Sequence, residues 1–205
     1  MGFFPLDDVA DEEQPPATPR PAWWGPPDDE IPVAWAHPAV LGVSDHVAVA
    51  LIGADVFRGG IDLRIERRLR RGSMSRGDWA RHREAFLGRE SEDTPGRLRY
   101  GVVLGDGRRV LDGGRLGPTE DPFTEPRSSV LVRSGGGGGG DDRSFSTTEG
   151  LWLWPLPPEG PLDLVFQWPD LGLPEAQVRL DGTTIVALSA RATRMWPDRE
   201  AALPW

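Results

Sequence analysis

The sequence predicts a mainly β protein, a single immunoglobulin-like β-sandwich of about eight or nine short strands with one or two short helices. Three observations point there. Short segments alternate apolar and polar residues with period two, as in Ile61, Leu63 and Ile65 set between Asp62, Arg64 and Glu66. Turn signals built on glycine, proline and Asp-Gly punctuate these segments at intervals of about 8–20 residues. No internal repeat and no strand–helix–strand rhythm runs through the chain, so a parallel sheet is not expected. A barrel is the alternative closure of the same strands.

Residues 1–32 come first and differ from the rest. They hold eight acids and one base, Arg20, with many prolines and few aliphatic residues. Such a stretch buries too little surface to offset its ordering entropy, so an acidic, Pro-rich disordered tail is expected. Its aromatic pairs, Phe3-Phe4 and Trp23-Trp24, suit either docking to a partner or packing back on their own domain. The sandwich is expected over 33–197, and 198–205 reads as a C-terminal tail.

The first clear strand is Val47–Ile52, running on to Phe57. Arg58-Gly59-Gly60 supplies a hairpin turn, and Ile61–Arg67 returns. Residues 70–96 break the alternation, and Asp78 is placed to cap a short helix over Trp79–Leu87. Arg97–Leu104 and Arg108–Leu111 form a second hairpin around Asp106-Gly107. A Gly/Pro loop follows over 112–128. Ser129–Arg133 reads as a short strand that leads into six consecutive glycines, Gly135 to Gly140. Glycine gives up the most backbone freedom on folding, so this run reads as a loop, mobile or closely packed. Leu151–Trp154, Leu162–Trp168 and Gln177–Leu180 are further strands. Asp181 caps a second short helix through Ala190, and Ala192–Trp196 closes the fold.

Composition excludes several chemistries. All 23 basic residues are arginine, so no lysine nucleophile, Schiff base or P-loop lysine exists. The chain has no cysteine, which removes thiol catalysis, disulfides and cysteine metal sites. The three histidines, His37, His46 and His82, form no i, i+4 pair. No metal or cofactor is expected. The longest apolar run, Val47 to Ala54, is far shorter than a membrane span, and the N-terminus lacks the pattern of a secretory signal. A soluble, cytoplasmic protein is expected, with no membrane partner.

Three features carry binding potential. The glycine run with its flanks Arg133 and Arg143 satisfies G-x-G-x-x-G only trivially, since Asp141-Asp142 and no helix follow it. Within it, Gly135, Gly137 and Gly140 are candidate backbone contacts. Trp152 and Trp154 share one face of a strand and form either a stacking platform or core. An arginine cluster over residues 64–83 includes Arg67, Arg68 and Arg70. It suits an acidic partner or a solvated face. Nucleic acid is disfavoured, because the chain after residue 32 carries 24 acids against 22 arginines.

Several segments together resemble a family of actinobacterial proteins that carries no assigned function. They are Trp23-Trp-Gly-Pro-Pro-Asp-Asp-Glu-Ile-Pro32, His46–Gly53, Leu98–Leu104 with Asp106-Gly-Arg-Arg109, the glycine run, Trp152–Leu162, Phe166-Gln-Trp-Pro169 and Met195-Trp-Pro197. The resemblance spans most of residues 23–197 and implies a soluble bacterial protein; it brings no activity, catalytic residue or cofactor with it. It also implies that the Trp-Gly-Pro-Pro-Asp-Asp-Glu stretch, Trp24–Glu30, belongs to the domain's edge. The expected function is a non-catalytic protein–protein interaction module, binding another protein through the Trp/Gly edge or the acidic tail. A small-ligand or carbohydrate binder using Trp152 and Trp154 is the alternative. A hydrolase built on His46 or His82 requires one of them beside a carboxylate in a cleft.

Overall fold

The computed structural model describes residues 20–87, 95–112 and 123–196. In chain order the elements are β1 (Glu30–Ile31), β2 (Val33–Trp35), β3 (Ala39–Val43), β4 (Val47–Val56), β5 (Ile61–Arg70), helix α1 (Arg76–Phe86), β6 (Arg99–Val103) and β7 (Arg109–Leu111). There follow β8 (Val130–Gly140), β9 (Ser144–Trp154), β10 (Pro161–Trp168), β11 (Leu173–Asp181), helix α2 (Gly182–Ser189) and β12 (Thr193–Arg194). A single 3-10 turn, Pro169–Leu171, joins β10 to β11.

The expected β-sandwich is what the chain forms. One sheet runs β2-β4-β5-β9-β8, with β3 also paired to β4; the other runs β11-β10-β6-β7. A third, two-stranded pairing joins β1 to β12. Pairing is antiparallel throughout these sheets, and neither large sheet closes on itself. β2 and β3 share one side of β4 end to end, with β3 against Ala48–Leu51 and β2 against Ala54–Val56. The break falls at Gly53, whose φ of +148° and close approach to Trp35 O leave no room for a side chain.

The core follows from the alternation. Ile61, Leu63, Ile65 and Leu69 of β5 point inward, facing Leu162, Leu164, Phe166 and Trp168 of β10, and all eight are buried. Helix α1 adds Trp79 and Phe86, and the Phe86 ring stacks on Trp168 at 5.6 Å. On one side the two sheets meet where Gly42 of β3 lies against Phe166 and Leu173. On the other side an isolated bridge joins Asp112, just after β7, to Leu131 of β8.

Several sequence expectations need correction. The six glycines are not a loop; they are the second half of an eleven-residue strand, β8. The first helix begins at Arg76 rather than Trp79, because Ser75 is its cap: Ser75 Oγ accepts from Asp78 N at 3.1 Å and donates to Asp78 Oδ2 at 2.6 Å. β5, β9 and β11 run longer than their apolar patterns. Residues 20–32 do not form a tail. The Trp152 indole N–H donates to Ala22 O at 2.9 Å, Trp23 packs on Trp154, and Glu30–Ile31 pairs with Thr193–Arg194. Indoles that can be covered draw this segment onto the sandwich despite its acidity. The rest of the expected tail, 1–19, and the expected C-terminal tail, 198–205, lie outside the described residues. No helix among the described residues is long and apolar enough to cross a membrane.

Candidate functional site

The candidate site is the free edge of β8. The strand pairs with β9 from Val130↔Trp154 to Gly140↔Phe145, and a bulge between Ser134 and Gly136 shifts the register by one residue. Beyond the Asp112–Leu131 bridge, no strand among the described residues pairs with its outer side. The stretch from Gly135 to Gly140 is exposed and presents main chain alone.

Two different reasons for glycine alternate along the run. A Cβ at Gly136 would lie 2.6 Å from Thr148 O, and one at Gly138 would lie 2.6 Å from Thr147 Cγ2 and 2.7 Å from Ser146 O. A Cβ at Gly140 would meet Phe145 Cα at 2.6 Å. Close packing on β9 therefore demands glycine at these three positions. At Gly135, Gly137 and Gly139 a Cβ would meet nothing within 4 Å. The fold has no need of glycine there. None of the six has a positive φ, so the backbone is ordinary extended strand.

The hairpin tip fixes the strand's far end. Asp141 Oδ1 accepts from Arg143 N and Ser144 N, each at 2.8 Å. These two backbone bonds, that from Arg143 first, hold the Asp141 carboxyl below the usual carboxylate range. At the near end, Ser134 Oγ donates to Asp62 Oδ1 at 2.6 Å, passing over Gly150, which has no side chain to obstruct it. Arg133 donates to Asp112 Oδ2 from Nε at 2.8 Å and from NH2 at 2.6 Å, and to Leu98 O at 3.2 Å.

The other candidates from sequence lie elsewhere. Trp152 is 1% exposed, wedged against Gly60 and edge-on to Phe57. Its ring offers no open face, and Trp154, half-buried, is covered by Trp23. The stacking platform is therefore replaced by packing. Gly135, Gly137, Gly140, Arg133 and Arg143 belong to β8 and its hairpin tip. Arg68 and Arg70 project from the solvent face of the same sheet, Arg68 toward Glu66 Oε1 at 2.7 Å and Arg70 toward Asp45 O at 2.8 Å. Arg67 is on the opposite, inner face and is buried. The His46 and His82 rings are 5.9 Å apart, with Nδ1 of each against a backbone carbonyl, of Arg70 and Asp78 respectively.

Sequence reasoning missed the buried polar network behind the edge. Arg67 Nε lies 3.0 Å from Glu149 Oε1 as an ion pair, without the alignment of a hydrogen bond. Arg67 NH1 donates to Phe86 O at 3.1 Å, and its guanidinium lies over the Phe86 and Trp168 rings at 5.2 and 5.3 Å. Tyr100 OH donates to Glu149 Oε1 at 2.7 Å. Burial, and then the Glu149 charge, push the Tyr100 phenol well above its ordinary value, so it stays a donor. The available signal was parity: Arg67 occupies an inward position in the series Ile61, Leu63, Ile65, Arg67, Leu69. A charge at such a position calls for a buried partner. Compared with protein-family models, curated proteins and solved structures, the chain matches none of them.

Proposed function

We propose that the chain is a non-catalytic protein-binding module that takes up an extended segment of protein as an added strand along β8. The single supporting observation is the bare edge itself: six exposed glycines whose outer side meets no strand among the described residues, with open space at Gly135, Gly137 and Gly139. Sheet edges in soluble proteins are usually guarded by charges, prolines, bulges or a covering element. Here the bulge between Ser134 and Gly136 falls at the start of the run, and among the described residues no strand covers the glycines beyond it. Main-chain pairing to such an edge is a recurring mode of protein capture. The reading places this work in the cytoplasm.

The test uses the full chain as bait in native cell extract, beside the double variant Gly137→Lys with Gly139→Lys and the turn variant Gly59→Lys. All three positions have open space for a side chain, so folding is preserved. A protein retained by wild type and Gly59→Lys but released by the double variant supports edge capture. A protein retained equally by all three would overturn it.

A further inference from the structure

We infer that the solvent face of the large sheet, beside the β8–β9 hairpin, carries an anion cleft that takes the phosphoryl group of a small organic molecule. This site does not depend on the reading of the β8 edge. Strand register builds it. Arg68 lies directly across from Ser146, and Arg70 from Ser144. Ser146 in turn lies across from Gly139, Arg68 from Ala48, and Ala48 from Val43. One row across the face therefore reads Val43, Ala48, Arg68, Ser146, Gly139, with small residues on both sides of a single long cation. These groups, with Arg70, Ser144 and His46, line a cleft of about 420 Å³, inside the roughly 300–1,000 Å³ of small-molecule sites. Among the described residues that line it, none is an aspartate or a glutamate.

The positive charge here is available. Arg70 Nε donates to Asp45 O, a neutral carbonyl, at 2.8 Å, and its guanidinium forms no ion pair among the described residues. Arg68 meets Glu66 through Nε alone, so the two terminal nitrogens keep their donors. His46 O accepts from Arg70 N at 2.8 Å, and His46 Nδ1 lies 3.3 Å from Arg70 O, which holds the imidazole beside the same strand. Arg71 and Arg143 meet through the backbone at the same end of the sheet and add to the field. The Asp141 carboxylate of the hairpin tip is turned to Arg143 N and Ser144 N and lies outside the lining. Gly139 now has a reason that the fold does not supply. A Cβ there would meet nothing within 4 Å, yet it would rise on the face of Ser146 and Arg68, into the cleft. The donors select the anion. Two guanidiniums, an imidazole and two serine hydroxyls exceed what one carboxylate accepts, whereas a phosphoryl group offers three oxygens and a charge of about −1.5 to −2. Exposed Val43 gives an apolar wall for the organic part.

Amide chemical shifts of the full chain test this, titrated at neutral pH and equal ionic strength with inorganic phosphate, phenyl phosphate, benzoate and sodium chloride. The expected result is saturable shifts at Gly139, Ser144 and Ser146 with both phosphates, tighter for phenyl phosphate, and no saturation with chloride. Arg70→Gln removes the unpaired guanidinium. Gly139→Glu sets a carboxylate across from Ser146 and leaves every other cleft residue in place, so it decides the matter if Arg70→Gln disturbs the sheet end. Each should weaken phosphate binding about fivefold or more through the lost or opposed charge. Gly59→Glu, the same charge change in a remote turn with open space, should leave it unchanged. Absence of saturable shifts at the cleft with phosphate overturns the inference, as does phosphate binding that Gly139→Glu does not weaken. Benzoate binding as tightly as phenyl phosphate overturns the choice of a phosphoryl group, and phenyl phosphate binding no tighter than inorganic phosphate overturns the organic part.

Discussion

Adjacent glycines in β8 should respond to the same substitution with opposite signs. At Gly137 an alanine Cβ enters open space, and the backbone is already in a region that alanine favours. The gain comes from the unfolded chain, which loses conformational freedom, and amounts to about 0.4–1 kcal/mol of added stability. Gly138→Ala brings the same gain but sets its Cβ 2.7 Å from Ser146 O and 2.6 Å from Thr147 Cγ2. The threonine methyl can rotate; the backbone carbonyl cannot, so β8 and β9 must part by several tenths of an ångström. Overpacking of this kind costs about 1–3 kcal/mol. Since the unfolded-state term is common to both, the gap between the variants isolates the packing term, about 1–3 kcal/mol, or about 2–12 °C in Tm for a chain of this size. Urea unfolding followed by tryptophan emission measures it, at protein concentrations low enough to exclude association. If Gly138→Ala proved as stable as Gly137→Ala, the glycines would not be packed on β9, and the strand assignment would fail.

Other consequences follow from the buried charges and the hairpin tip. Glu149→Ala leaves Arg67 without its counter-charge among Phe86 and Trp168 and should cost about 3–5 kcal/mol in urea unfolding; a loss below about 1 kcal/mol would contradict the buried ion pair. Burial raises the Asp62 carboxyl above the usual range, against the hydrogen bond from Ser134, and Asp55 adds to the rise. Protonation therefore favours the folded state, with a contribution that is complete below the ordinary carboxylate range and lost as pH rises through the raised value. Asp62→Asn should abolish that contribution, so its urea midpoint should gain on wild type between about pH 4 and 7; parallel pH profiles would refute the shift. Asp141→Ala removes the acceptor for Arg143 N and Ser144 N and should speed amide exchange along Gly135–Gly140 more than in β5. Unchanged exchange there would show that the turn does not anchor the strand.

The parts of the fold that were legible in sequence are those where side chains report the backbone. The β4–β5 and β6–β7 hairpins announce themselves by alternation and by Gly59-Gly60 and Asp106-Gly107, and Gly107 has the positive φ that such a turn requires. Asp181 caps α2 as expected, accepting from Thr183 N. The glycine strand was illegible for the converse reason. Period two is a statement about side chains, and a run of glycine has none to alternate. Its partner is Phe145–Glu149 of β9, where the polar run Ser146–Glu149 carries little pattern either. β1, β2 and β3 were missed because they are short and broken by Pro32 and Pro38, so local propensity cannot separate them from loop. The covering of Trp152 and Trp154 involves Ala22 and Trp23, some 130 residues away along the chain, contacts that no local window contains.

A strand without side chains also has a register problem, and the edge's behaviour follows from how that problem is solved. Where side chains alternate between core and solvent, a one-residue slip is heavily penalised. Along Gly135–Gly140 a slip would move only hydrogens, so the pairing must be held from outside the run. The chain does this at both ends. The Asp141 turn fixes the last residue, the Ser134–Asp62 and Arg133–Asp112 contacts fix the first, and the bulge at Gly135 takes up the residue that does not fit between them. The outer side of the strand inherits the same logic. Its own glycines carry no register information for an incoming strand, so whatever pairs there must be aligned by the charged residues at the two ends.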